Sequence, residues 1–499
     1  MRHFLKGLLV LAVVVCNGAN VTAAQPAQTA ATTDWFKSAV IYAIFPRSFA
    51  DSNGDGIGDL QGIIAKLDYI QGLGANTIWL MPPFVTPSYH GYNVADYYHI
   101  DPSLGTDADL VALINAVHNR HMRFILDYVA DHTADTHPFF KDAYGNPQSQ
   151  YSDFYMWLNP QHTDYQHFAI DLTMPRLNFD TPAVNAYMLK VAQFYLDMGV
   201  DGFRCDVAGL VPHSFWQSLR KIINASYPGR ILLGEFWTDR AQIPDYLDSG
   251  EFDAAFDFPV YMDLVGLHET DGIGVLNGQN PVSLVTDRLK AAHSGYLVRF
   301  LGNHDTNRLI SIVQDSQLRA RAAAVWLTTL PGPIQIYQGD ELGVTGSKSD
   351  QPTAGDLPVR LPFPWNTAKI IGNYQTTWTP SIVNTQTISV EAEKNDVLSL
   401  DYLYRTVLAM RQTDPVFSSD NTEWITTNPN IYQMRRTAAT GQQIMVLINF
   451  SNDIQEFPIP SSDPLITANP IIDTGVYQIT TGTMRLNPGG YAIFETVKP

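Results

Sequence analysis

The sequence predicts an α/β protein: a (β/α)8 TIM barrel with a small domain inserted after strand three and a C-terminal β-sandwich. Three observations carry this. Short β-rich runs alternate with helix-period segments eight times between residues 39 and 341. The pattern lapses once, from His132 to about Pro175, into a polar, aromatic stretch without helical period. After the helix-like segment YLYRTVLAMRQ, which ends at residue 412, only short alternating runs follow.

The expected strands are AVIYAIFP (39–46), ANTIWLMP (75–82), RFILDYVAD (123–131), VDGFRCDV (200–207), ILLGEF (231–236), FDAAFDFP (252–259), YLVRFLGNHD (296–305) and PIQIYQGDE (333–341). Segments such as DLQGIIAKLDYIQGLG and DADLVALINAVHNRH supply the helices between them. The barrel is thus expected over 34–132 and 176–412, the inserted domain over 133–175, and the sandwich over 413–499 from IYQMRR, QIMVLINF, QEFPIP, TGTMRL and GYAIFETV. Residues 1–24 read as a secretory signal peptide: Arg2 and Lys6 precede an apolar run from Leu8 to Cys16, and small residues end at Ala24. That run is too short to span a membrane, so the expectation is an exported protein, periplasmic or extracellular, with no membrane span.

With 499 residues, 45% of them hydrophobic, the chain can bury a large core. Cys205 is the one cysteine beyond the leader, so no internal disulfide is expected. The formal net charge of −18 makes nucleic acid a poor partner and leaves a neutral substrate acceptable.

In a barrel of this type the active site forms at the carboxyl ends of the strands. Those ends carry Asp127 and Asp131-His132 on strand three, Arg204 and Asp206 on strand four, Glu235 on strand five and His304-Asp305 on strand seven. Alternation along GFRCDV places Arg204 and Asp206 on one face and Phe203, Cys205 and Val207 on the other, toward the helices. Carboxylates, histidines and an arginine from several strands would therefore meet at one mouth. A structural ion pair alone explains that convergence poorly.

DYVADHTA, GFRCDVAGL, ILLGEFWT and FLGNHDTNR resemble, in order, four signature regions of the α-amylase family of glycoside hydrolases, and MPRLNFD (174–180) resembles a fifth. The resemblance implies a retaining hydrolase of α-glucosidic bonds in starch, maltodextrins or related α-glucans. Asp206 would be the nucleophile, Glu235 the general acid and base, and Asp305 the residue that holds the distorted sugar. Glu235 is expected to be raised in pKa by neighbouring carboxylates, and Asp206 lowered by Arg204. His132 and His304 match histidines that bind the sugar at the cleaved bond, and Tyr92, in YHGYNVADYY, matches the aromatic beneath it, with His90 and Asp96 nearby. Arg204 and Arg308 complete the expected substrate-binding set, with Arg308, like Asp127, matching a position expected to brace the site rather than touch the bond. Val207, directly after the nucleophile, matches family members acting on α-1,6 bonds or on both linkages, whereas MPRLN is closer to the neopullulanase and maltogenic group than to the oligo-1,6-glucosidases; α-1,6 cleavage, α-glucosidase action and transglycosylation from the same intermediate are all open.

The loop DSNGDGIGDL offers oxygens at Asp51, Asn53, Asp55 and Asp59 with glycines between them. It resembles the calcium loop of oligosaccharide-acting family members, which also use a carbonyl at the position of Ile57. Calcium, or magnesium, is expected there; it is no complete EF-hand, since Gly62 stands at the twelfth position. A second family calcium site lies between barrel and inserted domain. Its positions hold Asp131, Arg176 and Leu210 here. Arg176 is expected to pair with Asp131 in place of that ion.

Overall fold

In a computed structural model of the chain, eight parallel strands close into a barrel in strict sequence order. They are β1 (Val40–Ile44), β2 (Thr77–Leu80), β3 (Arg123–Tyr128), β4 (Gly202–Cys205), β5 (Ile231–Gly234), β6 (Ala254–Phe256), β7 (Tyr296–Phe300) and β8 (Ile334–Tyr337), with β1 pairing to both β2 and β8. The structure describes residues 32–237, 243–266, 274–278, 282–290, 295–349, 355–367, 374–380, 383–425, 428–459, 469–474, 477–480 and 482–497. The signal peptide expected over residues 1–24 lies outside them.

Alternation decides which side chains meet. Ile41, Ala43, Trp79, Ile125, Leu233, Phe256, Val298 and Phe300 pack together as one cluster, the barrel interior. Their chain neighbours Tyr42, Ile78, Leu126, Phe203, Cys205, Leu232 and Leu297 belong to a second cluster with the helices. Both faces are covered, which is why the strands read as nearly continuous apolar runs. Each expected run contains its strand but stops early. The run expected over 123–131 ends as a strand at Tyr128, and that over 296–305 at Phe300, because the backbone leaves the ladder to build the mouth.

The helices obey their local signals. Asp107–His118 starts on a capping box between Thr106 and Asp109. Pro182–Met198 has proline in its first turn, buries Val184, Met188, Val191 and Tyr195 on one stripe, and ends at Gly199 with φ 103°, a left-handed cap that glycine adopts without strain. Among the described residues no helix is long and apolar enough to cross a membrane.

The stretch after β3 holds a short α-helix, Pro138–Ala143, a 3-10 turn, Ser152–Phe154, and isolated bridges, around stacked aromatic side chains such as Phe140 and Trp157. At the carboxyl end a five-stranded and a three-stranded antiparallel sheet face each other. Met445, Leu447 and Phe494 of the first pack with Phe457, Met484 and Leu486 of the second. Thr422–Ile425, Pro470–Asp473 and Tyr477–Thr480 are strands that the alternating pattern did not mark. TEWI and PIID do not alternate, and YQIT alternates over only four residues.

Candidate functional site

Strands three, four, five and seven deliver their polar ends to one place. The buried guanidinium of Arg204 is the centre. Its Nη1 donates to Asp206 Oδ1 at 2.7 Å and to both oxygens of Asp127 at 3.1 and 3.2 Å; its Nη2 lies 2.5 Å from Glu235 Oε1. The indole N–H of Trp79 and the hydroxyl of Tyr92 also donate to Asp127 Oδ2, at 3.0 and 3.1 Å. Tyr92 reaches this point because Gly91, with φ 88°, turns the chain where a Cβ would lie 2.5 Å from the Pro82 carbonyl.

The Tyr92 oxygen is 2.7 Å from His304 Nε2, and that nitrogen is 3.0 Å from Asp305 Oδ2. On the far side Arg360 donates from Nη2 to Asp305 Oδ1 at 2.7 Å and from Nε to the His304 carbonyl at 2.9 Å. His132 lies against the ring of Phe168, with centroids 5.2 Å apart.

These groups open on a cleft of about 990 Å³. Of the residues singled out in the sequence, Tyr92, His132, Asp206, Glu235 and Asp305 line it, as does His90. Arg204, Asp127 and His304 sit behind them, fully buried. Arg308 is elsewhere: its guanidinium lies 4.0 Å over Tyr337 and donates to Gln338 O and Asp340 Oδ1. It braces the end of β8 and does not line the cleft; Arg204, buried behind the carboxyl groups, does not line it either, so both are positioning residues rather than substrate contacts. Asp96 pairs with exposed His99 at 2.7 Å, away from the cleft.

Val207 departs from expectation too. The strand ends at Cys205, so alternation no longer governs it; Val207 has φ 37° and lines the cleft rather than facing the helices. A β-branched residue in that region is strained. The turn aims its N–H at Glu235 Oε2, 2.9 Å away.

Burial sets the electrostatics more than the neighbours do. It pushes Asp127 up to about 8 and raises Asp206 and Glu235, while Arg204 pulls all three down; Asp206 and Asp305 add to the rise of Glu235. The expectation that Arg204 lowers Asp206 therefore has the right sign for that one contact, but desolvation outweighs it. Asp305 is different. Burial opposes its charge, yet the His304 hydrogen bond and the guanidinium groups of Arg360 and Arg204 hold it well below the usual carboxylate range. One cation shared by Asp127, Asp206 and Glu235 cannot balance three buried anions, so protons are shared within that set.

Trp237, Phe168, Lys348 and Arg360 also line the cleft and were not singled out. Trp237 Nε1 donates to Glu235 Oε1 at 3.0 Å, and its place two residues after Glu235 was the available signal. Lys348 and Arg360 come from irregular chain after β8, where no period points to them.

At the joint with the inserted stretch, Arg176 donates to both oxygens of Asp131 at 2.8 to 3.2 Å, and to the Leu210 carbonyl at 3.0 Å. In the 51–59 loop, Asp51 accepts from the backbone of Asn53, Gly54 and Gly56; Asp59 accepts from Ser52 and caps a helix through Gly62 N. Asn53 and Asp55 are exposed and Ile57 is half-buried. The donor set of carboxylate, amide and carbonyl oxygens fits calcium. Among the described residues, no three His, Cys, Asp or Glu side chains gather as a metal-binding group on their own.

The model of the alpha-amylase catalytic-domain family matches residues 43–420. Alpha-amylase 3 of Dictyoglomus thermophilum is 33% identical over 460 residues, covering 85% of this chain and 88% of the relative. A trehalose synthase/amylase, TreS, of Mycobacterium tuberculosis is 29% identical over 504 residues, covering 85% and 83%. The crystal structure of an alpha-amylase from H. orenii superposes with a TM-score of 0.78 at 31% identity, covering 92% of this chain and 99% of that one.

Proposed function

The chain belongs to the α-amylase family of glycoside hydrolases, and on that footing we propose that it cleaves α-glucosidic bonds, mainly α-1,4 and in part α-1,6, in starch, maltodextrins or related α-glucans. The observation that carries this is the single guanidinium joining Asp206 to Glu235 at the floor of the cleft, with Asp305 beside them. Asp206 attacks the anomeric carbon while Glu235 gives its proton to the departing glycosidic oxygen. A glycosyl-enzyme ester forms on Asp206. Glu235, now ionised, takes a proton from water, whose oxygen displaces Asp206 and releases the sugar with its configuration retained. Burial raises Glu235, which supports its role as the acid, and Arg204 opposes the rise that burial causes in Asp206, which favours the ionised nucleophile. Asp305, held ionised, accepts ring hydroxyls, with His132, His304 and Tyr92 around the same sugar.

Time-resolved product analysis on maltoheptaose, pullulan and sucrose tests this. Fresh product should be the α-anomer by NMR; an initial β-anomer would sink the mechanism. A second reading, transfer of the glycosyl group to another sugar, is favoured by the exposed apolar residues Ile170, Leu210 and Trp237 lining the cleft and by the likeness to a trehalose synthase/amylase. Transfer products would outlast hydrolysis at high sugar concentration. Export through the leader and calcium at the 51–59 loop belong to the same proposal. Amino-terminal sequencing of the secreted protein checks the first. Calorimetry with calcium, expected to give about one tight ion, checks the second.

A further inference from the structure

Glu235 is met by donors from three directions. The Val207 N–H donates to Oε2 at 2.9 Å, Arg204 Nη2 lies 2.5 Å from Oε1, and Trp237 Nε1 donates to the same Oε1 at 3.0 Å. None of these groups can accept: a backbone N–H, a guanidinium and an indole N–H only give hydrogen bonds. A carboxyl group has about two acceptor sites on each oxygen, so Oε1 is filled and Oε2 has one site left. When Glu235 is protonated, the proton must occupy that site.

The donors differ in what else they do. Arg204 also serves Asp127 and Asp206, and the Val207 N–H belongs to a strained backbone turn. An indole has a single N–H, so Trp237 gives its whole donor capacity to Glu235. Its ring lies 4.2 Å, centroid to centroid, from that of Phe258, and Trp237 remains 42% exposed as part of the cleft wall. The charged groups that face Glu235 are Arg204, Asp206 and Asp305, with Asp127 across the guanidinium. Substitution of Trp237 leaves all of them in place.

We propose that Trp237 is a positioning residue for the general acid: with Arg204 it fills Glu235 Oε1, so that Oε2 carries the proton given to the glycosidic oxygen. The inference rests on the reading of Glu235 as the acid and base of α-glucoside cleavage. In the first step the Oε2–H bond breaks, its electron pair stays on the carboxylate and the proton goes to the leaving oxygen; in the second a water O–H bond breaks and that proton returns to Oε2. A donor to the carboxylate favours its charged form. Losing the indole N–H therefore raises the pH at which Glu235 gives up its proton.

The test crosses two variants in pH profiles of kcat/KM on maltoheptaose. Trp237→Phe keeps a six-membered ring and loses the N–H. Trp237→His does the opposite, since an imidazole matches the five-membered half of the indole and its Nε2 falls where Nε1 stood. In Trp237→Phe the basic limb, which reports Glu235, should move up by about one pH unit while the acid limb of Asp206 stays in place. In Trp237→His the basic limb should stay at the wild-type pH, and KM should rise with the lost cleft wall. An unmoved basic limb in Trp237→Phe, or equal shifts in both variants, would overturn the proposal and leave Trp237 a wall of the cleft. If Trp237→Phe does not fold, Trp237→Leu takes its place; if Trp237→His does not, the other profile decides alone. A Glu235→Gln enzyme as active as wild type on maltoheptaose would defeat the acid assignment and this inference with it. An unmoved limb alongside an inactive Glu235→Gln counts against Trp237 alone.

Discussion

The mouth of the barrel and its seam with the C-terminal sheets both bury arginine, and they balance it in opposite ways. At the mouth Arg204 serves three carboxyl groups, Asp127, Asp206 and Glu235. At the seam Arg411 and Arg436 are met by backbone carbonyls instead. Arg411 donates to the carbonyls of Thr328, Leu330 and Gly332, and Arg436 to those of Thr329, Phe417 and Ser419. Three of these six carbonyls, Thr328, Thr329 and Leu330, close the helix Gln317–Thr329, whose carboxyl end favours a cation. Burial lowers both guanidinium groups, to about 9 and about 10, and leaves them charged at neutral pH. An excess of acid lifts carboxyl pKa values toward the working range, where protons can move. An excess of base met by carbonyls has no proton to move and only fastens. The Arg176–Asp131 joint lies between, one cation to one anion.

The sharpest way to separate mouth from seam is Asp206→Asn, which removes the carboxylate that forms the ester. Turnover should fall by about four orders of magnitude or more with Tm nearly unchanged. Glu235→Gln should be severely impaired too, but much less so on an aryl glycoside, whose leaving group needs little acid help. Wild-type activity in the Asp206 variant would erase the contrast.

Arg204→Lys should come next, because a point charge cannot bridge Asp206 and Glu235 together. Asp206 must be ionised, so activity is lost as pH falls through its raised pKa; Glu235 must be protonated, so activity is lost as pH rises through its own. Weakening the cation raises both further. Both limbs of the kcat/KM profile should therefore move to higher pH, and an unmoved acid limb would show that Arg204 does not set the charge of Asp206.

Arg176→Ala leaves Asp131 buried without its cation, which costs about 3–5 kcal/mol where a buried pair is broken. The expected result is a lower Tm, faster proteolysis within 133–175 and activity reduced several-fold, none of it restored by excess calcium. A second tight calcium ion beside residue 176 would contradict this. Arg436→Met should have the smallest effect on chemistry. Tm should drop with the loss of about 1–3 kcal/mol from unpaired carbonyls, while kcat of the folded fraction stays at the wild-type value. A changed pH profile there would mean that the seam reaches the mouth.

The barrel was legible because a parallel strand covered on both faces writes itself as a short apolar run, and all eight runs hold strands. Asp206, Glu235 and Asp305 were legible because the ends of such strands should otherwise be apolar or turn residues. The pairing of Arg176 with Asp131 was legible from charge: a guanidinium stands where an ion would need an oxygen. Val207 was misread because alternation holds only inside a strand, and Cys205 is its last residue. Arg308 was expected to brace the site, and Tyr337 and Asp340 hold it as a brace at the end of β8.

The sequence by itself determined the order of strands and helices, the family and which carboxyl groups gather at the mouth, since these follow from periodicity and from residues adjacent in the chain. Only the tertiary structure decided that one guanidinium serves three acids and that Arg360 holds Asp305. Apart from Arg204 and Asp206, those facts join residues 31 to 77 positions apart, and burial, which fixes their charge, exists only once the chain has closed around them.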